Sequence, residues 1–353
     1  MNRRSLAAAI AAVALSAGHA QAASEAAPGS EPVKPEANAP PAPPAAEALK
    51  APLPPEQDPA KFYGFAITQQ LVDRAKIIPG GPGRDGIHAV DAPTWASAES
   101  ADAIAPETPV LGVAIDGDAR AYLTPILEYH QVVNDVVGGV PVAVTYDPLT
   151  GAPLAWKRTV DGRTLRFGVS GLLYNSGFLL YDHETESLWT QFDGRAIAGP
   201  LAGKKLEAVP LRQEDFKSWL AREPKTKILI PPEPNHFDYN ESAYAKYTEE
   251  DGSAFPVEAR DRRFHAKELT VGVVVNGKPH AYLASLVTAN GGRAEDEIDG
   301  QKIVVRYDPA RGVFEWEAPP GVSVTEAYWF AWKAFHPDTV IWKDPGKVKG
   351  REP

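Results

Sequence analysis

The sequence predicts a mainly β fold of the α+β class, in which two unequal, related units with short helices pack as one folded body. The first observation is a string that occurs twice, as LGVAIDGDARAYL at 111–123 and as VGVVVNGKPHAYL at 271–283. The second is that each copy reads as two strands joined by Asp-Gly or Asn-Gly, the pairs most typical of tight hairpin turns. The third is that a Tyr-Asp-Pro string follows each copy, at 146–148 and 307–309. Recurring hairpins of this kind favour tandem β-rich repeats.

The first 22 residues predict a cleaved secretory signal peptide. Arg3 and Arg4 precede an apolar run that ends at Leu15, and the small-residue exit Ala-Gln-Ala ends at Ala22. A basic start, a short apolar run and a small-residue exit are the features of such a signal. We therefore expect the protein to be periplasmic or secreted.

Composition excludes several classes of function. Residues 23–60 consist mainly of Ala, Pro and Glu, which predicts a disordered linker. The net charge is -10, and no basic stripe is present that could neutralise nucleic-acid phosphates. No stretch after the signal is long and apolar enough to span a membrane. The chain has no cysteine, so disulfides, thiol redox chemistry and thiolate metal sites are excluded.

The repeat divides the folded sequence into consecutive segments. We expect them to be an N-terminal segment at 61–104, a first unit at 105–230, a surface connector at 231–268, a shortened second unit at 269–343 and a tail at 344–353. The second unit is shorter because nothing in it corresponds to about 160–205. Features that both units share belong more naturally to the scaffold, so features confined to the first unit are the better candidates for a site.

The string TPILEYHQVVND predicts a helix from Thr124 to about Asp135. Thr124 suits the N-cap, and Pro125 suits the first helical position, where its missing N–H costs nothing. His130 and Asn134 are four residues apart and would share one helix face. The second unit has Asn290 in place of His130, so the shared scaffold does not require this imidazole. Either the pair faces a site near Asp147, or His130 is a core histidine bonded to a backbone carbonyl.

The strings YDPLTG and LLYNSG carry the remaining polar candidates. Asp147 precedes a proline and recurs in the second unit, as expected for a turn in which the carboxylate bonds nearby backbone. The hairpin turn at 174–177 occurs only in the first unit. Downstream, YDHETESLW alternates as a half-exposed strand would, and this places Asp182, Glu184 and Glu186 on one face near Trp189. Paired carboxylates can support glycoside chemistry, although a solvated strand face explains them equally simply.

The strings YHQVVNDVVGGVPVAVTYDPLTG and FGVSGLLYNSGFLLYDHETESLWTQFDG closely resemble the bacterial domain-of-unknown-function family 3179. In that family the turn usually reads Tyr-Cys-Pro-x-Cys and follows a helix that bears a His. In this chain Asp147 and Thr150 stand at the two Cys positions, while His130, Asn134 and Asp135 remain. A Cys-x-x-Cys beside a His looks like a soft metal or redox site. The resemblance therefore implies a variant whose cysteine pair has been replaced.

These observations favour a periplasmic ligand- or partner-binding accessory protein, whose partner is an unidentified small molecule or periplasmic protein. The predicted binding residues form a polar pocket in the first unit: His130, Asn134, Asp135, Tyr146, Asp147, Tyr174, Asn175, Ser176 and Trp189. An enzyme that uses His130 with Asp147 as an acid–base pair is the alternative. No cofactor is predicted. A metal ion held by His130, Asp147 and nearby carboxylates, or a degenerate metal or redox site, remains open. Zinc usually takes three or four protein ligands, so His130 and Asp147 without a third ligand would bind it weakly.

Overall fold

The computed structural model describes residues 63–65, 67, 69–234 and 237–344. Strands account for 42% and helices for 15% of it, so the fold is mainly β, as predicted, and its five larger sheets have a propeller-like arrangement. The predicted signal peptide (1–22), the predicted linker (23–60) and nearly all of the predicted tail lie outside the described residues. No helix of the described part is long and apolar enough to cross a membrane.

The part before the connector, called the first half below, contains most of the strands. Its strands are β1 (Ile78–Pro79), β2 (Trp95–Ser97), β3 (Pro109–Ile115), β4 (Asp118–Leu123), β5 (Val132–Val137), β6 (Val140–Asp147), β7 (Ala152–Lys157), β8 (Thr159–Val160), β9 (Arg163–Thr164), β10 (Phe167–Tyr174), β11 (Gly177–Asp182), β12 (Leu188–Thr190), β13 (Ala196–Ala198), β14 (Ala208–Val209), β15 (Arg212–Asp215) and β16 (Lys227–Leu229). Its helices are α1 (Thr124–His130) and α2 (Phe216–Arg222). Two 3-10 helices, Arg74–Lys76 and Ala98–Ala103, precede β3.

The remaining elements belong to the connector and to residues 269–343, called the second half below. The connector contains α3 (Ala245–Glu249). The second half contains β17 (Leu269–Val275), β18 (Lys278–Leu283), α4 (Ala284–Ala289), β19 (Arg293–Ile298), β20 (Gln301–Asp308), β21 (Val313–Glu317), β22 (Ser323–Tyr328), α5 (Trp329–Phe335) and β23 (Val340–Ile341).

The two halves share a strand order in part, since β2 and β14 of the first half have no counterpart in the second. In the first half one sheet runs β15-β3-β4-β16-β2 and a second runs β14-β7-β6-β5. In the second half one sheet runs β22-β17-β18-β23 and the other runs β19-β20-β21. In both halves the strand that comes last along the chain is parallel to the second strand of the hairpin, as β16 is to β4 and β23 is to β18. The sheet β1-β10-β11-β12-β13 and the ribbon β8-β9 belong to the first half alone.

A glycine and a tryptophan form the same contact in each half. A Cβ atom on Gly112 would overlap the ring of Trp219, and one on Gly272 would overlap the ring of Trp332. Each indole Nε1–H donates a hydrogen bond of 2.9 Å to a threonine hydroxyl seven residues later in the chain. The helix of each half is therefore locked onto its sheet where the absence of a side chain lets the ring approach the strand.

The connector is anchored to the rest of the fold by a few buried aromatic side chains. Tyr239, Tyr247 and Phe255 are all buried. The Tyr247 hydroxyl donates to the carbonyl of Leu149 at 2.8 Å, so the connector covers the turn that follows β6. Most other described residues of this segment are exposed or half-buried, so its position on the surface stays a prediction, with these aromatic side chains as anchors.

Candidate functional site

Helix α1 ends five residues earlier than predicted. Gln131 adopts a left-handed conformation with φ of 58°, and β5 begins at Val132. The valines of VVNDVV are β-branched and favour a strand that pairs with β6. Asn134 and Asp135 therefore lie on a strand, and the predicted helix face shared by His130 and Asn134 was wrong.

Both ring nitrogens of His130 are engaged at the end of α1. Nδ1 lies 2.9 Å from the carbonyl oxygen of His88, and Nε2 lies 2.8 Å from the hydroxyl of Tyr239. A carbonyl can only accept, so Nδ1–H donates and Nε2 accepts from the tyrosine. Burial lowers the pKa of His130, although the His88 carbonyl acts in the opposite direction. These contacts fit the interpretation of a neutral core histidine bonded to backbone.

Asn134 and Asp135 join neighbouring parts of the first half. The amide of Asn134 donates to the carbonyl of Phe167 at 2.7 Å and accepts from its backbone N–H at 3.0 Å. The carboxylate of Asp135 accepts from the Tyr122 hydroxyl at 2.6 Å and lies 3.5 Å from Nε of Arg120. The polar atoms of both side chains are therefore used within the fold.

Asp147 is fully buried at the end of β6. Its carboxylate accepts from the backbone N–H of Leu149 at 2.9 Å and from that of Phe178 at 3.1 Å. Burial raises the pKa of Asp147 to about 6, against the opposing effect of the hydrogen bonds from these backbone groups. The structure thus places Asp147 in a turn whose carboxylate also holds the start of β11.

Tyrosines surround this turn. Burial raises the pKa of Tyr146, Tyr244, Tyr247 and Tyr328, and the Asp147 carboxylate acts in the same direction on all four. A phenol in such a setting stays protonated and serves as a hydrogen-bond donor or acceptor. Tyr146 is predicted from sequence as a binding residue, whereas the other three come from the connector and the second half.

The hairpin between β10 and β11 fastens the first half to the connector. Asn175 and Ser176 both have positive φ, 51° and 66°, as a tight hairpin turn requires. The Tyr174 hydroxyl donates to the Glu258 carboxylate at 3.3 Å, and Asn175 accepts from the Glu258 backbone N–H at 3.0 Å. Ser176 is buried, and its hydroxyl has no hydrogen-bond partner among the described residues.

The carboxylate row predicted near Trp189 does not form. Asp182 ends β11, and residues 183–186 form a turn rather than a half-exposed strand, with Glu186 at positive φ. Trp189 is fully buried and donates from Nε1 to the Asp182 carboxylate at 2.8 Å. The sequence alternation was misleading because Asp182 bonds the backbone and side chain of Thr185, which favours a turn.

The structure therefore brings only some of the predicted binding residues into contact with one another. Asp147 and the 174–177 hairpin are neighbours, since Phe178 donates to Asp147. His130 and Asp147 each bond other groups, and no hydrogen bond joins them. Among the described residues, no group of three or more His, Asp or Glu side chains could hold a metal ion.

A cleft of about 420 Å³ lies where the two halves meet, and we call it the seam cleft. Its lining includes Pro109, Gln213 and Asp215 from the first half and Arg311, Val313 and Glu326 from the second half. The Arg311 guanidinium forms an ion pair with Asp215 and donates to the Ser218 hydroxyl at 2.9 Å. One wall of the cleft is thus closed by a contact between the halves.

Glu326, on β22, lies at the inner end of the seam cleft. Together with Gln213 and Gly312 it also lines a chamber of about 40 Å³, whose other walls include Tyr146 and Tyr328. Its Oε1 atom is buried and accepts no hydrogen bond from any described residue. Burial raises the pKa of Glu326 to about 8, so the carboxyl is largely protonated at neutral pH.

Sequence reasoning missed Glu326. A signal was available, because aligning 215–229 with 328–342 also pairs Gln213 with Glu326. The register agrees, since Gln213 lies opposite Leu111, and Glu326 lies opposite Val271, which is the counterpart of Leu111 in the repeated string.

Comparison with known proteins identifies the family to which this chain belongs. Residues 84–319 match the sequence model of a family described as a protein of unknown function, DUF3179. Neither the curated proteins nor the solved structures contain a match to the chain. The family match includes the predicted polar residues of the first half and ends before Glu326. Because it covers about two thirds of the 353 residues, the chain belongs to the DUF3179 family.

Proposed function

We propose that this protein is an exported small-molecule-binding protein, active in the periplasm or outside the cell, and that it binds its ligand in the seam cleft. The observation that carries the proposal is the Glu326 carboxyl, whose buried Oε1 atom has no partner at the inner end of an open cleft. Leaving a buried polar group without a hydrogen bond costs about 1–3 kcal/mol. A bound molecule would supply the missing partner.

The size and position of the cleft support this proposal. A volume of about 420 Å³ falls in the range typical of small-molecule sites. Such sites are frequent where two folded units meet, because concave surfaces arise there from the ends of both. By contrast, His130, Asn134 and Asp135 bond their neighbours in the fold. We therefore favour the seam cleft over the pocket predicted within the first unit.

We also propose that the two halves are unequal tandem repeats, so that the seam lies between related units. The common strand order and the matched glycine–tryptophan contacts support this view. On this proposal Gln213 and Glu326 are equivalent positions on β15 and β22. One position has kept a neutral amide and the other carries a carboxyl.

Export is proposed from the amino-terminal sequence alone. A basic, apolar and small-residue order over 1–22 and an Ala/Pro-rich stretch over 23–60 support a cleaved signal followed by a tether. The acid–base alternative has weaker support, because the two nitrogens of His130 bond the His88 carbonyl and the Tyr239 hydroxyl rather than Asp147.

A fragment screen by ligand-observed NMR tests the proposed site. A set of neutral, cationic and anionic fragments is screened against the wild type and against Ala310→Trp, which fills the seam cleft from an exposed position on its wall. Lys302→Trp, on the exposed surface of β20, is the matched control. We expect a group of competing fragments that bind the wild type and the control but not Ala310→Trp. Fragments that bind all three proteins equally would contradict the proposal.

A further inference from the structure

We infer that the ligand of the seam cleft carries an ammonium group that enters the inner chamber and pairs with Glu326. This inference rests on the proposed function, and it adds the chemical class of the ligand. Its basis is the arrangement of two spaces of different size that share Gln213, Gly312 and Glu326 in their walls.

The inner chamber has room for a small head group. Its volume of about 40 Å³ exceeds the roughly 10–15 Å³ that one water molecule needs, so it can hold a small polar group. A primary ammonium group fits such a space, whereas an aromatic ring is larger. The organic body of the ligand would then lie in the seam cleft, against apolar surface from Pro109 and Val313.

The charge of the chamber favours a cation. Among the described residues, no Lys, Arg or His lines it, and Glu326 is its one acidic side chain. A buried carboxylate without a cationic partner is strongly disfavoured, so the cation must come from elsewhere or the carboxyl must stay protonated. An ammonium group offers three donors and forms charge-assisted hydrogen bonds with a carboxylate.

The cationic side chains of the seam cleft do not pair with Glu326 in place of a ligand ammonium group. Arg311 is held by Asp215 and Ser218 on the outer wall. Lys217 is exposed on α2 and lines the cleft but not the inner chamber. Glu214, another lining residue, pairs with Arg222 at 3.2 Å. The inner end of the cleft is therefore acidic and lacks a cation of its own.

Binding of an ammonium group should release a proton. Besides Glu326, the inner chamber is lined by residues without a charge at neutral pH, among them Tyr146, Tyr328, Gln213 and Gly312. The Glu326 carboxyl, with its raised pKa, must ionise to pair with the cation. The observed affinity should rise about tenfold between pH 6 and pH 7 and level off above about pH 8, until the amine itself loses its proton near pH 10.

Isothermal titration calorimetry tests the inference with butylammonium and benzylammonium as probes. Butanol and benzyl alcohol are the uncharged comparisons, and butyrate and benzoate are the anions. Titrations at pH 7 in two buffers of different ionisation enthalpy give the number of protons released. We expect the ammonium probes to bind more tightly than their isosteres and to release close to one proton. Glu326→Gln should weaken them at least tenfold, whereas the exposed control Glu317→Gln should not.

The outcomes separate the inference from the proposed function. Equal binding of amines and alcohols, preferential binding of anions, or amine binding that Glu326→Gln leaves unchanged would overturn the inference. If the probes or fragments that bind the wild type no longer bind Ala310→Trp, the seam cleft remains a binding site, but for another class of molecule. If no probe or fragment distinguishes Ala310→Trp from the wild type, the proposed function fails as well.

Discussion

The two Tyr-Asp-Pro turns have the same local geometry and opposite surroundings. Asp147 accepts a hydrogen bond of 2.9 Å from the backbone N–H of Leu149, and Asp308 accepts one of 2.9 Å from that of Ala310. Yet Asp147 is fully buried, whereas Asp308 is exposed beside an open cavity of about 540 Å³. The motif specifies a turn, and the segments packed on it decide the chemistry of its carboxylate.

The cover over the first turn comes from distant parts of the chain. The connector contributes Tyr247, which bonds the carbonyl of Leu149, and the β10–β11 hairpin contributes the N–H of Phe178. The second half has no counterpart of this hairpin between β21 and β22. The difference teaches that the two copies of a repeated motif acquire different structural roles through the segments packed around one of them.

The largest expected effect comes from removing the buried carboxylate. Asp147→Ala leaves two buried backbone N–H groups without an acceptor, at about 1–3 kcal/mol each, so we expect a loss of about 4 kcal/mol in the free energy of unfolding. Asp308→Ala removes one exposed turn bond and should cost about 0.5–1 kcal/mol. Urea denaturation of both variants measures the difference. Equal losses would show that burial does not distinguish the two turns.

Glu326→Gln should change how stability depends on pH. Burial raises the pKa of Glu326 to about 8 in the folded protein, so folding favours the protonated carboxyl. The wild type should therefore lose stability relative to the variant as the pH rises from about 4.5 to about 8, by roughly 2–4 kcal/mol. Thermal or urea unfolding of both proteins at pH 4.5 and at pH 9 measures this. Parallel curves at the two pH values would show that Glu326 is not buried in this way.

The connector's contribution should be smaller. Tyr247→Phe removes the donor to the buried carbonyl of Leu149, and we expect a loss of about 1–2 kcal/mol. Tyr307→Phe, beside the open cavity of the second half, is the matched control and should change stability by less than about 0.5 kcal/mol. Urea denaturation of the pair checks the difference. If Tyr247→Phe left the free energy of unfolding unchanged, the hydrogen bond from the connector would not stabilise the turn that follows β6.

The matched indoles should show effects of about the same size as that of Tyr247→Phe, and the two effects should be equal to each other. Trp219→Phe and Trp332→Phe each remove one hydrogen bond to a threonine hydroxyl while keeping an aromatic ring, so we expect about 1–2 kcal/mol for each. Equal losses on urea denaturation would indicate that the two scaffolds are equally stable at this contact. The different burial of Asp147 and Asp308 would then come from the segments added in the first half. Strongly unequal losses would count against equivalent scaffolds.

Much of the fold could be predicted from local signals. The hairpin between β3 and β4 turns at Asp116 and Gly117, both at positive φ, as the Asp-Gly pair predicts. The end of α1 could not be placed, because His130 and Asn134 fit a helical spacing while the valines favour a strand. Strand pairing with β6 decided between them, and pairing is not visible in a single local window.

The candidate site was harder to predict for a related reason. His130 looked functional because its partners, the carbonyl of His88 and the hydroxyl of Tyr239, are remote in sequence. Glu326 did not stand out in the sequence, because its raised pKa depends on the absence of hydrogen-bond donors and cations around it in the folded protein. Local sequence identifies polar side chains, but the fold determines which of them are already satisfied.

Amide chemical shifts in a ¹⁵N-labelled sample, titrated with a fragment that binds the wild type, test the central claim most directly. His130 and the 174–177 hairpin line neither the seam cleft nor the inner chamber, so their amides report on the first unit separately, whereas Asp147 follows Tyr146 in the chamber wall. If the ligand binds in the seam cleft, the amides of Gln213, Gly312 and Glu326 should shift most, with little change at His130 and the 174–177 hairpin. Shifts concentrated at His130 and the 174–177 hairpin would contradict this account and place the site in the first unit.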